Sequence, residues 1–160
     1  MASKIANRNS KKSDINSIAS DKSLLKHAVR ALRFSYSPYS KFAVGAAILK
    51  SNGAIYLGAN IENASYPLCL CAERTALAHA HISAPGGKIW SIAVVCSSED
   101  HPIPGPAFPC GACRQVISEF EDKQGAPIRV IVGMKDGSQI KSFDSIKELL
   151  PHSFNGQFLK

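Results

Sequence analysis

Two short clusters constrain this chain more than any other feature: Cys71-Ala72-Glu73, and, well downstream, Pro109-Cys110-Gly111-Ala112-Cys113. They offer three thiols and one carboxylate, each cluster at the expected start of a helix. A fold in which they serve one site has to bring those two helix starts together. Cys110 and Cys113 stand i, i+3 and share a helix face. Cys71 and Glu73 stand i, i+2 and would diverge on a continuous helix, so they converge only if Cys71 sits at the very tip. Pro109 suits a helix start because its missing N–H would be unpaired there. The expectation is two helix N-termini aimed at one metal ion.

The residue types suit zinc. Three thiolates leave a tetrahedral zinc one open position, which is what separates a reactive site from a structural one. Glu73, not itself a ligand, supplies the proton carrier that a metal-activated water needs. Three thiolates and Zn²⁺ sum to a negative centre, which weakens the ion's pull on water. The positive ends of two helices offset this and lower the thiol pKa values. Arg74 and Arg114 directly follow Glu73 and Cys113, and either could donate to a thiolate sulfur. Each also reads as an ordinary surface or packing arginine. The alternative is a closed four-cysteine site that adds Cys69, in a non-enzymatic binding or scaffold module. That arrangement leaves Glu73 without a role and needs a cramped Cys-x-Cys hook.

Size and charge narrow the partners. A chain of 160 residues suits one domain, and no apolar run is long enough to span a bilayer. The net charge is +7, but residues 1–30 carry +5 of it, so the remaining 130 residues carry +2. Residues 1–21 read as a disordered basic tail and 22–160 as the folded domain. The nearly balanced body argues against a specific nucleic-acid track. The tail lacks the apolar core of a secretory signal, and organelle targeting by it stays open. Five cysteines without such a signal fit a reducing, cytoplasmic setting. Cys96 ends an apolar run and reads as a small buried hydrophobe.

Helical spacing covers about 23–35, 71–81 and 110–120, and strands are expected at 42–49, 54–58, 89–96, 128–132 and 140–143. Asp144 is expected to cap a last helix reaching Leu150. A hairpin followed by alternating helix and strand gives an α/β fold, a single-domain α-β-α sandwich around a mixed five-stranded sheet.

The two clusters match the pattern H-x-E…P-C-x-x-C of zinc nucleobase deaminases, in which cysteine can replace the histidine. The chain as a whole resembles the small homotetrameric cytidine deaminases of pyrimidine salvage. The residues carrying the resemblance run from Ser37-Pro38-Tyr39-Ser40-Lys41-Phe42 through Asn60-Ile61-Glu62-Asn63 to the two clusters and Glu148-Leu149-Leu150-Pro151. The resemblance implies hydrolysis of cytidine and deoxycytidine to uridine and deoxyuridine, with one zinc per subunit on Cys71, Cys110 and Cys113. It implies that water activated there attacks C4 while Glu73 shuttles protons. It also implies that Phe42 and Ala72 contact the nucleoside and that Asn60 and Glu62 hold the ribose. Tyr66 and Phe154 would reach a neighbouring subunit's site. Taken alone, Phe42 reads as core, Asn60 as a turn residue and Phe154 as tail packing. A deaminase of another base carrier, such as blasticidin S or a nucleic-acid cytosine, is the rival within enzymes. Phe108 stands before Pro109 where many relatives carry a small polar residue, which leaves fine substrate preference open.

Overall fold

The computed structural model describes residues 21–159. The expected tail lies outside them except for Asp21, which already belongs to the first helix, is buried, and accepts both Nε and Nη2 of Arg129. That helix, α1, covers 21–31 and tightens into a 3₁₀ turn over Leu32–Phe34. There follow β1 (Phe42–Lys50), β2 (Ile55–Ala59), α2 (Ala72–Ser83), β3 (Ile89–Ser98), α3 (Gly111–Gln124), β4 (Arg129–Val132) and β5 (Lys141–Phe143). The sheet order is β2-β1-β3-β4-β5. Only β3 and β4 pair in parallel, with α3 as the connection between them, so the sheet is mixed.

The two-residue period of the strands sorts the core into two layers. Ala46 and Ile48 of β1, with Ile92 and Val94 of β3, face α2 and α3, where Ala76, Leu77 and Ile117 meet them. Ala47, Ala93, Val95 and Ile131 face the other way, onto Leu24, Leu25 and Ala28 of α1. The expected α-β-α sandwich is therefore the observed one. Two glycines allow the close packing. A Cβ on Gly45 would stand 2.2 Å from the Ala28 carbonyl oxygen, and one on Gly58 would stand 2.3 Å from the Ala76 nitrogen. Gly58 lets α2 lie directly on β2, and Thr75 Oγ1 ties the helix there by donating to the Ala59 carbonyl at 2.9 Å.

The last expected helix is instead a 3₁₀ turn over Ile146–Glu148, capped by Ser145 and not by Asp144. Ser145 and Glu148 form a reciprocal capping box. Asp144 is drawn away to pair with Arg129. Glu121, buried in α3, fixes the short turn. Its carboxylate accepts from the Ile128 and Ile146 amides at 2.7 and 2.9 Å, and from Ser145 Oγ at 2.9 Å. A carboxylate with three donors needs no buried cation. Lys50 is the second unexpected buried charge: its ammonium donates to the Ala84 and Gly86 carbonyls at the end of α2. A cation belongs at that helix end.

Candidate active site

Both helices that carry the clusters begin at a cysteine. Cys71 caps α2 with extended backbone (φ −76°, ψ 152°), and Cys110 caps α3 in the same way (φ −65°, ψ 167°). Cys71 thus stands outside the helical turn that holds Glu73, and this removes the i, i+2 divergence. Cys113, one turn into α3, is fully buried. The three sulfurs lie within 4.8 Å of one another. Two tetrahedral ligands at about 2.3 Å from zinc lie about 3.8 Å apart; Cys71 Sγ and Cys110 Sγ are 3.9 Å apart. The donor set and its spacing therefore fit zinc.

Cys69 does not join this cluster: its thiol accepts from the Asn63 amide at 3.3 Å and faces the Asn63 carbonyl. The closed four-cysteine alternative has no support in this geometry. Among the described residues all five cysteines are free thiols.

Charge is distributed unevenly over the thiols. The Cys113 thiol, with help from Arg74 and Cys110, lowers the Cys71 pKa to about 5 against the opposing effect of burial. Cys113 moves the other way because its proton is held by Cys71 and because it is buried. Arg74 Nη2 lies 3.8 Å from Cys71 Sγ and donates to the Cys69 carbonyl at 2.9 Å. The sequence left open whether Arg114 would do the same. It does not: Nε donates to the Pro109 carbonyl at 2.8 Å and Nη1 to the Leu149 carbonyl at 2.9 Å. Arg114 thus braces the residue before Cys110 against the C-terminal segment.

Glu73 is buried, 4 % exposed, and burial raises its pKa, with the neighbouring Cys71 thiolate pushing the same way. A carboxyl held towards neutrality beside a metal site is suited to carry protons in both directions.

A cavity of about 260 Å³ opens over the thiols. Phe42, Asn60, Glu62, Ala72 and Glu73 line it together with Cys71 and Cys110. A larger cavity of about 640 Å³ lies at the far end of α3 and contains none of these residues. Lys41 has left-handed backbone (φ 52°), turning the chain from the 37–40 turn into β1 and so delivering Phe42 to the cavity. Glu62 accepts from the Tyr39 and Ser40 amides at 3.0 and 3.2 Å and from the Ser40 hydroxyl. The hydroxyl is the main cause of its lowered pKa, so the group stays an anion with lone pairs to spare. Asn60 is more committed than its sequence suggested. Its Oδ1 accepts from the Val44 amide and Ser35 Oγ at 2.8 and 2.6 Å, and its Nδ2 donates to the Phe42 carbonyl at 2.9 Å. One Nδ2 hydrogen remains for a ligand.

Tyr66 and Phe154 do not line this cavity. Tyr66 is 70 % exposed and meets Tyr39 edge-on, whereas Phe154, 58 % exposed, stacks on Phe158. The sequence reading passed over Val44, Ile61, Leu70, Val94 and Ala107, all in the cavity wall. Strand alternation alone could have flagged Val44 and Val94; nothing local marked Ala107.

Residues 18–127 match the family model described as the cytidine and deoxycytidylate deaminase zinc-binding region. The chain belongs to this family. It is 44 % identical to the cytidine deaminase of Halalkalibacterium halodurans, over 84 % of this chain and 93 % of that one. It is 39 % identical to a probable cytidine deaminase of Dictyostelium discoideum, over 82 % of each. The crystal structure of cytidine deaminase from Burkholderia pseudomallei superposes with a TM-score of 0.70 at 38 % identity, covering 82 % of this chain and 97 % of that one.

Proposed function

We propose that this protein is a zinc-dependent hydrolase that converts free cytidine and deoxycytidine to uridine and deoxyuridine with release of ammonia. The observation that carries the reading is one cavity lined by Cys71 and Cys110 of the three-thiol cluster, by buried Glu73, and by Asn60 and Glu62. Its name-bearing relatives are called cytidine deaminases. Zinc, when bound, makes water a competent nucleophile near neutral pH. The chain's own groups do the rest. Cys71, Cys110 and Cys113 hold the metal, and Arg74 offsets the thiolate charge. Glu73 takes the water proton, passes it to N3 of the ring, and later delivers a proton to the departing amine, so water is consumed and ammonia leaves. Phe42 offers an apolar face to the nucleoside. Glu62 and the free Asn60 donor suit the ribose hydroxyls. The thiols favour a reducing setting such as the cytoplasm. Among the described residues no helix is long and apolar enough to cross a membrane.

An absorbance assay with cytidine, deoxycytidine, their monophosphates and single-stranded DNA tests this reading. Turnover of both nucleosides, with DNA untouched, is expected. Deamination of DNA but not of cytidine would overturn it.

The same reading includes a homotetramer with shared sites. Tyr36, Tyr39, Ile61, Tyr66, Leu68 and Leu70 are all exposed, near the cavity in sequence or lining it. An apolar surface of this kind marks a contact. A cavity of about 260 Å³ is also small for a complete ligand site, so a neighbour's residues would finish it. If Phe154 acts in a neighbour's site, Phe154→Ala loses kcat/KM, and mixing it with inactive Glu73→Gln chains restores part of the activity. Sedimentation as a tetramer and recovery on mixing are expected. A monomer, or no recovery in exchanged tetramers, would contradict the shared site.

A further inference from the structure

Residues 107–109 end the proline-rich loop, and Ala107 and Phe108 line the cavity beside Cys110. Phe108 and Pro109 are each held by a different anchor. The Phe108 ring meets Phe143 of β5 edge-on, with centroids 5.8 Å apart and planes at 62°. Lys141 Nζ stands 5.6 Å from the same ring. The Pro109 carbonyl accepts from Arg114 Nε at 2.8 Å. Phe143 in turn packs on the main core. A wall anchored at two consecutive residues, on β5 and on α3, cannot swing aside without losing contacts on both elements.

Phe108 is still 38 % exposed and lines the cavity. It lies two residues before Cys110, whereas Asn60 and Glu62, which line the same cavity, stand on the segment after β2. An occupant with its reacting carbon at the thiols and its sugar on Asn60 and Glu62 sets its base, and not its sugar, beside Phe108.

We propose that Phe108 is a specificity-determining residue: its anchored ring is a fixed apolar wall that limits how large a substituent the pyrimidine base can carry. This rests on the cavity being a cytidine pocket. One methyl-sized group against an apolar wall discriminates by roughly 10- to 200-fold, so the effect is large enough to measure.

The test compares kcat and KM for cytidine and 5-methylcytidine in the parent, Phe108→Ala and Phe108→Leu proteins, with zinc content measured in each. The parent is expected to prefer cytidine. Phe108→Ala is expected to raise the ratio of kcat/KM for 5-methylcytidine over cytidine by about tenfold or more at unchanged zinc. Phe108→Leu, which keeps apolar bulk, shifts the ratio in the same direction by less, and it decides the matter if the alanine variant does not fold. A ratio within about twofold of the parent in the folded, zinc-loaded variants would overturn the proposal. A parent that does not deaminate cytidine defeats the pocket reading itself; an active parent with an unmoved ratio defeats only the wall.

Discussion

Cys113→Ala is expected to lose both zinc and activity, while Cys69→Ala keeps stoichiometric zinc. Cys113 is fully buried, and its sulfur belongs to the only three-residue cluster of potential metal ligands among the described residues. Removing it leaves two thiols, one on each helix tip, and no nearby cysteine can replace it. Changing groups that merely support a ligand costs roughly 10- to 100-fold in metal affinity, so loss of the ligand itself exceeds about a hundredfold. Zinc that binds only the folded chain also stabilises it, so the variant's Tm should no longer rise with added zinc. Cys69 is two residues from Cys71, but its sulfur is engaged with the Asn63 backbone. Metal analysis after dialysis, with Tm measured with and without zinc, separates the two variants. Release of zinc by Cys69→Ala would point to a four-cysteine site and remove the open position that the chemistry requires.

The zinc centre was legible in the sequence because its geometry is local. Cys110 and Cys113 are one helical turn apart, and the i, i+2 spacing of Cys71 and Glu73 admits only a helix tip. Both tips are where that reasoning put them. The sheet was legible for a related reason: apolar runs such as Ile92 to Val95 carry the strand period over both faces. What was not legible depends on partners distant in the chain. Arg114 passes over the thiols for the carbonyls of Pro109 and Leu149, the second of them 35 residues away. Glu121 and Lys50 are charged and would be assigned to the surface. Each is buried because backbone groups from other segments need it. Asp144 and Ser145 are equally good caps by composition. Competition from Arg129 for Asp144, and the Glu148 carboxylate reaching back to Ser145, decide between them. The cavity wall at Ala107 and Phe108 depends on how a proline-rich loop settles on β5, which no periodicity describes.

Glu73→Gln is expected to keep its zinc and lose nearly all turnover. The substitution preserves shape and removes only the ability to take up and release a proton. Glu73 is not a member of the thiol cluster, so the metal site should survive. General acid–base catalysis by a single positioned group contributes roughly 10²- to 10⁴-fold. In the proposed mechanism Glu73 serves the attacking water, N3 and the leaving amine in turn, which places the expected loss at the upper end. A loss of about 10⁴-fold corresponds to about 5 kcal/mol of barrier.

Zinc content and cytidine turnover measured on one sample of Glu73→Gln test the reaction centre most directly. One zinc per chain with turnover reduced by about three to four orders of magnitude is the expected result. A fully zinc-loaded variant that deaminates cytidine at close to the parent rate would contradict the role given to Glu73 and, with it, the mechanism built on the two helix tips.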